Sequence, residues 1–250
     1  MNGQLAWIGI VLAGVLGLAA NSAEPALVAA RKPGGVTEIT ITPAGGEKVK
    51  YCLDLSKHYR PARERTPALA RWESYRLGAF VCFNSNQFSG SEHCGARDPK
   101  IYNPTALDVP GWIAAFKQAG MKYAVLTVRH TSNFLLWPSA TSYCTVAASP
   151  NKTDVVRAFV EECRRQGIAP GLYYCMWGDK AFNPSPNARA IILAQLYELA
   201  SRYGEIPYFW IDMMYWAPPD LSAQEVYDAL KSLQPGTIVI MNQHEGPSGS

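Results

Sequence analysis

No dense cluster of basic residues stands out in this 250-residue chain beyond residues 48–50 and an arginine-rich stretch over 60–71. Charged side chains make up only 17% of it, and the net charge is +3. Nucleic acid, which is held through concentrated positive charge, has little to bind here. The six cysteines (52, 82, 94, 144, 163 and 175) include no CxxC pair. Cys82, His93 and Cys94 are the one conceivable metal group, and no second ligand pair at zinc spacing supports it, so no metal and no cofactor is expected. No glycine-rich dinucleotide loop follows the first strand candidate, which argues against a nucleotide-binding doubly wound sheet. The single long apolar run, residues 5–20, is too short for a comfortable membrane span. Small residues follow it up to Ala23, so residues 1–23 read as a signal peptide, although the leading MNGQ lacks Lys and Arg. The expectation is a secreted or periplasmic protein without stable membrane insertion; an uncleaved anchor is the alternative. In such a compartment the cysteines are free to form disulfides. Asn151-Lys152-Thr153 would be a glycosylation sequon on a eukaryotic secretory route.

What the chain has in quantity is aromatic: seven Trp and thirteen Tyr. Flat rings suit the C–H faces of sugars, and equally suit an ordinary large core. After a lead-in over 24–71, in which VTEITIT (36–42) alternates like a half-buried strand and 55–71 is expected to lie over the next unit, a rhythm begins. Strand candidates are LGAFVCF (77–83), KYAVLTV (122–128), APGLYYC (169–175), YFWIDMMYW (208–216) and GTIVIM (236–241). Between them lie helices opened by Asp108-Val-Pro, by Thr153, near residue 187, and by the capping box Ser222-Ala-Gln-Glu225. Strand alternating with helix predicts an α/β architecture with a parallel sheet, and the long polar and aromatic loops after the first three strands favour a (β/α)8 barrel. YFWIDMMYW is apolar on both faces except for Asp212, and an Asp in such a run is costly unless it has partners or a purpose. It reads as a catalytic carboxylate at the C-terminal end of a barrel strand, or as a structural Asp capping the following loop. Five strands are spent by residue 241, so residues 72–250 are expected to be an incomplete barrel of about five strand–helix units, needing on the order of 100 more residues to close.

Four of these blocks resemble family 29 glycoside hydrolases, the α-L-fucosidases. RLGAFVCFNSNQFSGSEHCG (76–95) is similar to that family's first strand and loop. AGMKYAVLTVRHTSNFLLWPSATSY (119–143) resembles its AGAKYAVLTxKHHDGFCLWPS block. GIAPGLYYCMW (167–177) resembles GLKxGLYYS, and YGEIPYFWID (203–212) resembles YGxIxxLWFDG, whose Asp is the nucleophile. The resemblance implies a retaining exo-glycosidase acting on terminal sugars of glycans, with two carboxylates about 5–5.5 Å apart. Asp212 carries over as nucleophile, and Trp210 as a pocket wall. Glu92 carries over as a sugar-hydroxyl ligand, and His130 as the first His of the His-His pair. Tyr174 and Trp177 fall where the third strand opens into the pocket, although Tyr174 and Trp210 also read as partly core aromatics.

The departures matter as much. Cys82 stands where the family has His before Phe-Gly, and Thr131 stands at the second His. Ser132 and Asn133 replace Asp-Gly, and Met213 replaces the Gly after the nucleophile. Losing two imidazoles that pair with sugar hydroxyls implies a remodelled specificity or a degenerate pocket. The general acid/base is not assigned to Glu245 and is expected beyond Ser250. The alternative reading is a non-catalytic carbohydrate-binding relative or an inactive fragment with a degenerate pocket.

Overall fold

The computed structural model describes residues 27–43, 46–60, 64–91, 98–177 and 187–242. The expected signal peptide (1–23), Glu92, His93, Cys94 and Glu245 lie outside the described residues.

Two sheets organise the described chain. Strands β1 (Leu27–Arg31), β2 (Val36–Thr42) and β3 (Val49–Asp54) form an antiparallel sheet in that order. In β2 the alternation predicted for residues 36–42 holds: Ile39 and Ile41 are buried, and Tyr51 and Leu53 of β3 join them on the same face. The second sheet is parallel and has five strands: β4 (Gly78–Val81), β5 (Tyr123–Arg129), β6 (Ala169–Cys175), β7 (Tyr208–Asp212) and β8 (Ile238–Met241). Its spatial order is β4-β5-β6-β7-β8. Every strand therefore adds beside the one before it and the order never reverses. A doubly wound sheet reverses at its switch point, whereas a barrel winds in one direction. The fold is α/β of the (β/α)8 type, with five of its strands among the described residues.

The helices lie between α1 (Pro67–Tyr75) and α6 (Ala223–Leu233): the single turn α2 (Asn86–Ser89), α3 (Val109–Gln118), α4 (Val155–Gln166) and α5 (Ala188–Arg202). Capping chemistry sets their starts. Asp108 accepts from Gly111 N at 2.9 Å, and the capping box between Ser222 and Glu225 is formed on both sides. The start expected at Thr153 falls one residue later. The Asp154 carboxylate accepts from Arg157 N at 2.9 Å, while Thr153 N is taken up by Asn151. Helix α5 is buried around most of its circumference. A helix apolar all round needs cover on both sides, and the antiparallel sheet supplies the second side. At that junction the fully buried Glu198 of α5 accepts from Tyr51 of β3 at 2.8 Å and from Trp137 at 2.7 Å, with Arg202 3.1 Å away.

The lead-in differs from expectation. Residues 55–60 do lie against the barrel helices: the Asp228 carboxylate of α6, almost fully buried, takes His58 Nδ1 at 2.9 Å and Tyr59 N at 2.7 Å. Residues 67–75, however, form α1, started by Thr66 and Pro67. Its Trp72 stacks on Tyr208 at 5.6 Å and leans on Tyr123 at 5.9 Å, so α1 covers the N-terminal ends of the strands. Those two tyrosines fit because their neighbours are Gly78 and Gly171: a Cβ on Gly78 would meet the Tyr123 ring at 2.3 Å, and one on Gly171 the Tyr208 ring at 2.9 Å. Among the described residues no helix is long and apolar enough to cross a membrane, and the five described cysteines are free thiols.

Candidate active site

Strand pleating decides which side chains reach the concave face of the parallel sheet, because successive residues point to opposite sides. On β7, Phe209 and Ile211 pack into the core with the helices, whereas Tyr208 and Trp210 belong to a separate cluster with Val125, Tyr173 and Cys175. Asp212 shares their phase and ends the strand. The stretch expected to continue as strand through residue 216 does not: Met213 turns left-handed at φ 57°, and Met214–Trp216 is a 3-10 turn. The carboxylate thus stands at the C-terminal mouth of the sheet and not inside its apolar layer.

Asp212 is 9% exposed and surrounded by donors. Its Oδ2 accepts from the Tyr173 hydroxyl at 2.5 Å, and its Oδ1 accepts from Met213 N at 2.9 Å and from Asn242 Nδ2 at 2.7 Å. An ionised carboxylate is acceptor-only, so three donors suit it and leave lone pairs over. Tyr173 is pushed to a raised pKa, first by burial, then by the neighbouring Cys175 and by its own bond to Asp212, so its hydroxyl stays a donor. Burial also pushes the Cys175 thiol up to about 11, with Arg129 acting against it. Backbone bonds fix the strand ends: Met176 N donates to Asp212 O at 2.8 Å, and Asn242 N to Ile211 O at 2.8 Å.

The sequence-derived residues fall unevenly around this carboxylate. His130, at the end of β5, lies face to face with Tyr173, with ring centres 6.2 Å apart and an angle of 23°. Trp210 presents one wall, edge-on to Phe80 at 5.3 Å and to Tyr173 at 6.0 Å, and its buried indole N–H has no partner among the described residues. Trp177 lies just beyond β6 and stacks on Trp216. Glu92 lies outside the described residues. Tyr174 is not in the pocket. It points the other way, fully buried in the layer between sheet and helices, where its hydroxyl donates to Gln195 at 2.5 Å and the Arg129 guanidinium covers its ring at 4.9 Å. The reason is the phase of the pleat: of the adjacent pair Tyr173 and Tyr174 only one can share the face of Cys175 and Asp212, and it is Tyr173.

Two residues that hold Asp212 are absent from the sequence reading. Tyr173 could have been found by counting the two-residue period along Gly171, Tyr173 and Cys175. Asn242 is the first polar residue after an apolar strand, the same signal that singled out Asp212.

The loops beside the site are held by polar contacts at the substituted positions. Thr131, 4% exposed, accepts from Asn86 at 3.4 Å and lies 3.2 Å from His130 Nδ1, and Ser132 bonds Ser85 at 2.8 Å. The fully buried Arg129 donates to the Cys175 carbonyl and to the Asn133 side chain, which ties the loop after β5 to the end of β6. Asn133 takes a left-handed φ of 59°, a conformation Asn tolerates better than most residues. Cys82 is exposed at the end of β4. No cluster of three metal-ligating side chains occurs among the described residues.

Comparison with known proteins agrees with this geometry. A family model described as alpha-L-fucosidase matches residues 67–249. Alpha-L-fucosidase 1 of Arabidopsis thaliana is 31% identical over 148 residues, which is 57% of this chain and 29% of that protein. The tissue alpha-L-fucosidase of Mus musculus is 26% identical over 165 residues, 60% of this chain and 35% of its own length. Among solved structures, a glycoside hydrolase 29 family member from an unknown rumen bacterium superposes with a TM-score of 0.63 at 30% identity, covering 70% of this chain and 32% of that one. The chain therefore spans about a third of the length of the relatives it matches.

Proposed function

The chain belongs to the alpha-L-fucosidase family, and from that premise we propose that it carries the nucleophile of a retaining exo-glycosidase acting on terminal sugars of the α-L-fucoside class. The observation that supports this reading is Asp212, held at the mouth of the sheet by Tyr173, Asn242 and the Met213 amide. Oδ1, with two donors, is the anchored oxygen. Oδ2, with one, keeps a lone pair for the anomeric carbon. Attack forms a C–O ester bond to Asp212 and breaks the glycosidic bond. The electron pair leaves on the glycosidic oxygen, which is protonated by a second carboxylic acid. Water then attacks the same carbon, giving its proton to the second carboxylate left by the first step, and Asp212 departs as carboxylate. The second carboxylic acid is assigned to no residue of this chain. Trp210 and His130 wall the space above Tyr173 in which the sugar ring would lie. Export belongs to the same proposal, and sequencing the mature N-terminus near residue 24 checks it.

The test is covalent trapping. An activated 2-fluoro sugar should add one glycosyl unit to the peptide that contains Asp212, read by mass spectrometry. Absence of labelling across a panel of sugars sinks the retaining mechanism.

A second reading, a carbohydrate binder without turnover, is favoured by one observation. Thr131, at a family His position, turns into the loop to meet Asn86 and offers no imidazole to a sugar. Replacing Cys82 and Thr131 together by His, and assaying an aryl α-L-fucoside, separates the two. A gain in hydrolysis supports an active site of altered specificity; no gain over the parent supports the binder.

A further inference from the structure

Among the described residues, two exposed large aromatics that follow Asp212 have no part in the scheme above. Tyr215 is 49% exposed and Trp216 45%. Trp216 stacks with the half-buried Trp177 at 5.4 Å and 27°, and Tyr215 stands edge-on to Trp216 at 5.5 Å and 80°. The three rings come from two strand ends: Trp177 lies two residues past Cys175, which pairs with Asp212, and Tyr215 and Trp216 follow Asp212 itself. Their backbone is fixed. Met214 N donates to Asn242 O at 3.2 Å, and Trp216 N to Met213 O at 2.9 Å. Half-exposed indole and phenol faces on a rigid turn cost hydration in the free protein and little ordering entropy when a ligand covers them.

We infer that Trp177, Tyr215 and Trp216 form an aromatic ledge that binds the leaving-group sugar, the pyranose to which the terminal residue is attached. The inference rests on the glycosidase reading and extends it to a second sugar. Position argues for this occupant. The terminal sugar must lie over Asp212, between Trp210 and His130, because its anomeric carbon is the point of attack. The ledge stands on the segments that follow β6 and β7, directly after the paired residues Cys175 and Asp212, and so borders that space on the rim. Chemistry argues for it too. One face of a pyranose carries several C–H bonds and no hydroxyl, and such a face meets the electron-rich face of an indole favourably. An aryl or alkyl leaving group would use the ledge less fully than a second pyranose.

The test uses the Asp212→Asn protein, so that nothing is turned over, with 2′-fucosyllactose, L-fucose and lactose as probes in calorimetric titrations. In the parent the trisaccharide should bind more tightly than L-fucose. Trp216→Ala combined with Tyr215→Ala should lower the ratio of trisaccharide to L-fucose affinity about tenfold, equivalent to about 1.4 kcal/mol, and Trp216→Phe should retain most of it. Both replaced side chains are half exposed, and an unchanged melting temperature verifies the fold. A ratio that does not move in the double variant overturns the ledge and leaves the fucoside reading standing. If L-fucose fails to bind at all, the fucoside reading falls. The ledge is then judged by lactose alone, whose binding must drop on Trp216→Ala or the ledge falls as well.

Discussion

Asn242 donates its side-chain amide to Oδ1 of Asp212 across 2.7 Å, and so joins the end of β8 to the end of β7 at the carboxylate. A hydrogen bond to a charged group is worth about 1.5–3 kcal/mol. On the proposed mechanism Asn242→Ala should therefore lower kcat about tenfold to a hundredfold with little change in KM, since the amide holds the carboxylate proposed as nucleophile. Steady-state kinetics on a terminal glycoside decide this, and a change confined to KM would place Asn242 in substrate binding instead.

Tyr173 and Tyr174 are chain neighbours with opposite roles, and the pair gives a clean contrast. Tyr173→Phe removes the donor on Asp212 Oδ2 and, on the proposed mechanism, should depress kcat per folded molecule strongly, with some stability lost as well. Tyr174→Phe leaves the buried Gln195 oxygen without its donor and should cost about 1–3 kcal/mol of stability with activity per folded molecule retained. Denaturant titration and kinetics on both variants settle which tyrosine belongs to the pocket.

Much of this arrangement was legible in the sequence. Four of the five parallel strands lie within about two residues of their apolar runs, because a strand buried on both faces leaves an unmistakable block of β-branched and aromatic residues. Asp212 was legible as the one carboxylate in such a block. What the runs could not give was the phase: when both faces are apolar the two-residue period is invisible, so Tyr174 was placed in the pocket and Tyr173 passed over. Helix α1 was missed for another reason. Its stretch is rich in Arg and Pro, and only tertiary contacts, of Trp72 with Tyr208 and Tyr123 and of Tyr75 with Tyr123, give it an inner face. Strand β3 carries only two buried apolar positions, Tyr51 and Leu53, among exposed polar residues, too weak a pattern to stand out.

Glu198 should prove to be a stability determinant and not a catalytic group. Glu198→Ala strips the buried hydroxyl of Tyr51, the indole N–H of Trp137 and the Arg202 cation of their common acceptor. Leaving a buried donor without its acceptor costs about 1–3 kcal/mol, and two donors here, Tyr51 and Trp137, are buried while the Arg202 cation is partly exposed. Urea denaturation followed by circular dichroism should show a loss of that size, with Glu198→Gln in between.

Glu225 adds a dependence on pH. Burial works to raise its pKa, but hydrogen bonds from Arg189, Lys32 and Ser222 N outweigh this and hold it at about 2, against 4.5 for a free Glu. A depressed carboxylate stabilises the fold fully above its unfolded value, and that contribution is lost as pH falls through the folded value. The stability gap between the parent and Glu225→Gln should therefore be widest above about pH 5 and should close between pH 4.5 and 2. Urea midpoints at pH 6 and pH 3 measure it; a gap that widens on acidification contradicts the assignment.

The one-way winding of the parallel sheet has a consequence for how the chain is made. Each strand pairs with the one synthesised just before it, so β4 through β8 can assemble in the order in which they are made, closing one crossover connection at a time. The antiparallel sheet cannot follow that order. Tyr51 must wait for Glu198, 147 residues later, before its face is covered. Until α5 emerges, Ile39, Ile41 and Leu53 remain open to water and to other chains. The earliest-made sheet thus waits through most of the chain for the helix that covers it.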